Sequence, residues 1–149
     1  MEQHERKTTR KMQSANHYIR KYPFSLLCLA LIWILSLIPF FPETPLDDVV
    51  LIDKWTHLLM YGGTTTVIWL EYLRCHNHVN WSRLLWVAVA GMILLGGAIE
   101  LIQKYCTTTR SGEWLDFAAD TMGVLLGAGI GLLFYACWYK KKHQADRHE

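Results

Sequence analysis

Charge is scarce in this 149-residue chain: Asp, Glu, Lys and Arg make up 19% of it, and they crowd into short blocks that leave long stretches with none. With 52% hydrophobic residues, seven Trp and seven Tyr, that distribution argues against a water-soluble globule and reads as membrane-embedded. The mean hydropathy of only +0.11 averages apolar runs with polar tails, so a window rather than the mean locates the spans. Cysteine is scarce too. Of the four, Cys28, Cys75 and Cys137 belong to one side of the membrane and Cys106 stands alone on the other. Without a Cys-x-x-Cys spacing or a pair on the oxidising side, a thiolate metal site and a disulfide are both disfavoured. The first apolar run also lacks a small-x-small cleavage site, and its LSLIPF ending argues for an uncleaved anchor rather than a signal peptide.

Four runs are long enough to cross a hydrocarbon core of about 30 Å at about 1.5 Å per residue. The first is Phe24 to Phe40, closed by Pro39 and Pro42. The second, Trp55 to Leu73, is Gly- and Thr-rich in its middle and carries His57 near one end and Glu71 near the other. The third is Leu84 to Gln103, uncharged until Glu100, and the fourth is Thr121 to Tyr139. The expected fold is an all-α integral membrane protein, a four-transmembrane-helix bundle over 24–139 between a basic tail at 1–23 and a polar tail at 140–149. Twelve of the 15 Lys and Arg fall in the two tails and the loop between the second and third spans, against Lys54, Lys104 and Arg110 elsewhere. The positive-inside bias therefore predicts both termini in the cytoplasm. Basic tails of this kind are inside flanks touching anionic lipid, and no nucleic-acid partner is implied.

With that topology, Glu43, Asp47, Asp48, Asp53, Lys54, His57, Tyr61, Glu100, Gln103, Lys104, Arg110, Glu113, Asp116 and Asp120 all arrive at the outer boundary, from segments far apart in sequence. Helical spacing orders them. Asp53, His57 and Tyr61 lie at i, i+4, i+8 on one stripe, Glu100 and Gln103 at i, i+3 share a face, and Asp116 and Asp120 at i, i+4 lead into the fourth span. Singly, each has a plain structural role: Asp53 as a favourable N-terminal helix charge, Lys54 as a snorkelling side chain, Asp116 or Asp120 as a helix cap. Glu100 resists that treatment, because a charge at the helix centre costs about 2.5–3.5 kcal/mol on insertion. It must face the bundle interior and find a partner, with His57, Arg110 and Lys54 as candidates. Gly123, Gly127 and Gly131 form a small-residue ridge that lets another backbone approach, and Gly62, Gly63, Gly96 and Gly97 offer the same on other helices.

The run DKWTHLLMYGG from Asp53, then ELIQ from Glu100, then Arg110, then DFAADTMGVLLG from Asp116 resembles the VanZ-like family of small bacterial membrane proteins. The resemblance covers Asp53 to about Gly131. It rests on Asp53, Lys54, His57, Glu100, Gln103, Arg110, Asp116 and Gly123; Asp120 departs from it, standing where the family usually has Asn. It implies a multi-pass protein of the bacterial cytoplasmic membrane, a link to resistance to the glycopeptide teicoplanin, and action on lipid head groups or polyprenyl-linked envelope precursors.

Residue chemistry supplies the parts of such a site. Lys54 and Arg110 can hold a phosphate. His57 or Glu100 can serve as general acid or base, and Asp116 or Asp53 can orient the histidine. Tyr61, Gln103 and Asp120 complete the head-group-binding set. No cofactor is required, although His57 with Glu100, Asp116 and Asp120 would suit Mg or Mn better than a closed zinc site. The alternative is a non-catalytic protein in which the same cluster binds or gates an anionic lipid or drug.

Overall fold

The computed structural model describes Arg6 and residues 16–37, 52–76, 78–106 and 113–145, the last seven of these by their backbone alone, and among them it is helical with no strand. Helix α1 runs Pro23–Leu37, α2 Ile52–Cys75, α3 Trp81–Leu85, α4 Gly91–Cys106 and α5 Trp114–Ala145. A π-helical stretch, Trp86–Ala90, joins α3 to α4, so that Trp81–Cys106 is one continuous 26-residue rod. Two helices, Trp81–Cys106 and Trp114–Trp138, are long and apolar enough to cross a membrane. Helix α1 is shorter at 15 residues, and the expected end of its run at Phe40 lies outside the described residues, as do Pro39 and Pro42. Helix α2 has length enough, 24 residues, but its Gly-Gly-Thr-Thr-Thr middle and its ionisable residues dilute its apolar character.

Polarity is inverted relative to a soluble bundle. Leu59, Trp86, Leu94, Leu101 and Leu133 are exposed, while Ser25, Thr65, Glu71, Glu100 and Asp120 are buried. Small apolar clusters fill the gaps, one around Ile32, Tyr61, Met92, Ile99 and Val124 and another around Trp69, Tyr72, Leu84, Ala88 and Ala128.

The axis of the bundle is the α2–α5 pair, which makes the most extensive helix contact. The glycine ridge is what lets it close. A Cβ on Gly123 would strike the carbonyl oxygen of Leu58, one on Gly127 that of Gly62, and one on Gly131 would sit 2.5 Å from the Trp69 ring. Gly62 belongs to this seam, lying across from the Gly123 backbone, whereas Gly63 faces open space and has no part in it. Gly96 and Gly97 admit side chains instead, those of Asp120 with Tyr61 and of Phe117 respectively.

Helix ends are satisfied partly in trans. Asn80 caps α3 by accepting from Arg83 N at 3.0 Å. At α1, whose Pro23 suits a first helical position, the exposed donors are taken by a carboxylate from another helix. Phe24 N and Ser25 N donate to Glu71 at 3.1 and 2.9 Å, and the Ser25 hydroxyl donates to it at 2.5 Å. Glu71→Ala orphans these donors in a buried place and is expected to cost about 1.5–3 kcal/mol, the range for hydrogen bonds to a charged group. Unfolding of the purified protein in detergent measures it, with Glu71→Gln intermediate; unchanged stability would mean that α1 is held by its apolar contacts alone.

Candidate functional site

One end of the bundle gathers the start of α2, the end of α4 and the start of α5. Helix α5 begins well before the expected Thr121, so Asp116 and Asp120 lie within its first two turns rather than ahead of it. The Asp53 and Lys54 pair likewise sits inside the first turn of α2. Their i, i+4 spacings then act on true helix faces, turned toward each other by the α2–α5 seam.

At the centre, His57 Nδ1 lies 2.9 Å from Asp120 Oδ1. An ionised carboxylate only accepts, so with Asp120 charged Nδ1 carries the proton and Nε2 is left toward Asp53, 3.9 Å away. Glu100 Oε1 stands 4.0 Å from the same Nδ1, and the other Glu100 oxygen accepts from the backbone N–H of Glu113 at 3.0 Å, ahead of α5. Lys54 Nζ contacts Asp116 at 2.6 Å, Glu113 at 2.8 Å and Asp53 at 3.5 Å. Lys54 precedes the apolar run of α2. Partial burial opposes its charge, but contacts with Asp116 and Glu113 outweigh that and raise its pKa above the ordinary lysine value.

This arrangement corrects several expectations. The carboxylate that orients His57 is Asp120, one turn beyond Asp116, while Asp116 pairs with Lys54. Asp53 faces the other ring nitrogen at a longer distance. Of the partners considered for Glu100, His57 is the one in range among the described residues, and Lys54 is engaged elsewhere. The Gln103 amide has a partner outside the cluster: its Nε2 donates to the Ser36 carbonyl at 2.8 Å and ties α4 to the end of α1. Tyr61 is wholly buried beside Gly96, with its hydroxyl outside any hydrogen bond. Arg110 lies outside the described residues, as do Glu43, Asp47 and Asp48. Two participants take roles the sequence did not give them, Gly96 being expected there to admit a backbone. Glu113 holds Lys54 and Glu100 together, and its place just before the WLDFAAD helix start was the available signal. Gly96 makes room for the Asp120 carboxylate, because a Cβ there would be 2.9 Å from Oδ2.

Beside the cluster, a cavity of about 380 Å³ opens between α4 and α5. Ile93, Leu94, Leu101 and Phe117 give it apolar walls, and Glu100, Lys104 and Glu113 stand at its polar end. An alkyl chain fits such walls, and the polar end leads to the buried acids.

The fold and site define a helical bundle that is polar within and apolar without, carrying a buried acid–histidine–lysine cluster at one end. No protein-family model, curated protein or solved structure matches the chain.

Proposed function

We propose that this chain is a VanZ-like, multi-pass protein of the bacterial cytoplasmic membrane that acts at the outer face on lipid head groups or polyprenyl-linked envelope precursors, as a transferase or hydrolase. In this reading α1, α2, the Trp81–Cys106 rod and α5 all span, with both termini inside. The exposed apolar faces and the Lys/Arg distribution support it. The observation that carries the function is the buried His57–Asp120–Glu100 group, of which Glu100 lines an apolar cavity. The cavity accommodates a lipid tail while its head group meets Glu100 and Glu113 in the lining, with His57 4.0 Å behind Glu100. Lys54 then receives the anionic part by exchanging its contact with Glu113, which like Asp53 is half-exposed, while buried Asp116 holds the ammonium in place. His57 and Glu100 are the groups placed to move protons.

The link to teicoplanin resistance belongs to this proposal as a consequence of altered envelope lipids or precursors. A binding or gating protein would use the same cavity without chemistry. Mass spectrometry of total lipid extracts separates the two: cells making the protein should show a changed head-group or polyprenyl species that is absent when His57→Gln is made at equal membrane level. Matching extracts across growth conditions would leave binding as the reading.

A further inference from the structure

We infer that His57, Glu100 and Asp120 hold a divalent cation of the hard class, Mn2+ or Mg2+, between α2, α4 and α5. The three residues each offer a ligand atom, and these atoms lie within 4.8 Å of one another. An ion about 2.0–2.2 Å from each donor needs donors about 3–4.4 Å apart. His57 Nδ1 is 2.9 Å from Asp120 Oδ1 and 4.0 Å from Glu100 Oε1, so small side-chain adjustments suffice.

Proximity of acids alone would not make a site. Here the oxygen of Glu100 that faces His57, Oε1, is buried and makes no hydrogen bond, and Asp120 Oδ2 is likewise buried and unbonded. The residues themselves are 3, 7 and 0% exposed for His57, Glu100 and Asp120. Among the described residues neither acid has a Lys or Arg within ion-pair distance, because Lys54 serves Asp53, Asp116 and Glu113. Two carboxylates in so dry a place call for a positive charge between them, and an imidazole proton supplies at most one.

Glu100 also has a hydrogen-bonded partner behind it, of the kind that orients metal ligands, and the other two have neighbours that leave them room. Asp53 faces the second ring nitrogen of His57 at 3.9 Å, the Glu113 N–H holds the second oxygen of Glu100 at 3.0 Å, and Gly96 seats the second oxygen of Asp120. When the cation takes the place of the Nδ1 proton, the remaining ring proton sits on Nε2, toward Asp53. One nitrogen with carboxylate oxygens favours Mn2+ or Mg2+ over thiophilic ions. A second acid–histidine group, Asp53, His57 and Asp116, is close enough to bind an ion too, but the Lys54 ammonium already sits on its carboxylates.

The inference stands on this geometry and not on the lipid reading, so the test uses the full chain purified in detergent, with no lipid substrate. After chelation and removal of the chelator, the protein is titrated with Mn2+, the free ion is followed by electron paramagnetic resonance, and Mg2+ is used as competitor. Wild type should bind a single equivalent saturably and melt at higher temperature with Mn2+. Glu100→Gln and Asp120→Asn, which keep shape and lose charge, should bind more than about 100-fold more weakly, since even outer partners of a metal ligand cost about 10–100-fold. Both variants are checked for helicity and melting; if one fails to fold, the other carries the comparison. No saturable binding by wild type overturns the inference, whatever the variants do. So does binding that survives in both variants, or that disappears instead in Asp116→Asn.

Discussion

His57→Gln is expected to lower the proposed head-group turnover at least about 100-fold while the helices stay packed. General acid–base groups contribute about 10²–10⁴ in rate, and a cation ligand is no more dispensable, so the loss is sharp whichever role the ring fills. Glutamine is chosen because it is polar and can still offer an N–H to Asp120. Alanine removes that donor and leaves a carboxylate with no exposed surface facing an empty space, and breaking a buried charged pair from one side costs about 3–5 kcal/mol. His57→Ala therefore confounds folding with function, whereas His57→Gln separates them. The measurement is the rate of formation of the lipid product in purified membranes, normalised to folded protein by its melting transition. A glutamine variant within a few-fold of wild type would show that His57 does no chemistry, and the cluster would then be a binding site with graded losses.

How far the sequence foretold this site depends on which kind of distance decides each contact. Asp53, His57 and Tyr61 on one stripe, or Asp116 with Asp120, follow from 3.6-residue periodicity alone. The seam is legible too, since three glycines at four-residue spacing declare a close backbone approach, and Gly123, Gly127 and Gly131 all meet α2. Periodicity could not choose between Asp116 and Asp120 as the partner of His57. Both sit on one face, and the choice is made by how far α5 slides along α2, which the Leu58–Gly123 and Gly62–Gly127 contacts fix in space. The Ser36 partner of Gln103 was hidden for a related reason. Its i, i+3 spacing places it near Glu100, but a third helix, α1, comes close enough to claim its amide. Glu71 had depth and charge as signals, yet the donors it satisfies belong to the first turn of α1, 46 and 47 residues away in sequence. The all-helical class and the two long apolar rods are local properties of the chain, and these the apolar runs announced.

The largest loss of stability is expected at Gly127, a residue that touches no member of the cluster. A valine there places its Cβ against the Gly62 carbonyl oxygen and 2.9 Å from the Thr65 Cβ. Ordinary overpacking costs about 1–3 kcal/mol because flexible side chains yield. Here the first obstacle is backbone, so α2 and α5 must part, and Gly127→Val should cost at the top of that range or above it. Gly129 is the control, since a Cβ there meets nothing within 4 Å. Gly129→Ala should leave melting unchanged or raise it slightly, as glycine inside a helix is about 0.5–1 kcal/mol worse than alanine. The functional consequence follows from the same seam. His57 on α2 meets Asp120 on α5 at 2.9 Å only while the helices touch, so Gly127→Val should also lose the turnover proposed for His57 and bind Mn2+ weakly. Melting curves of the two glycine variants in one detergent decide it: equal curves would mean that the helices are held apart by something other than their backbones, and the ridge would lose its claim to position the site.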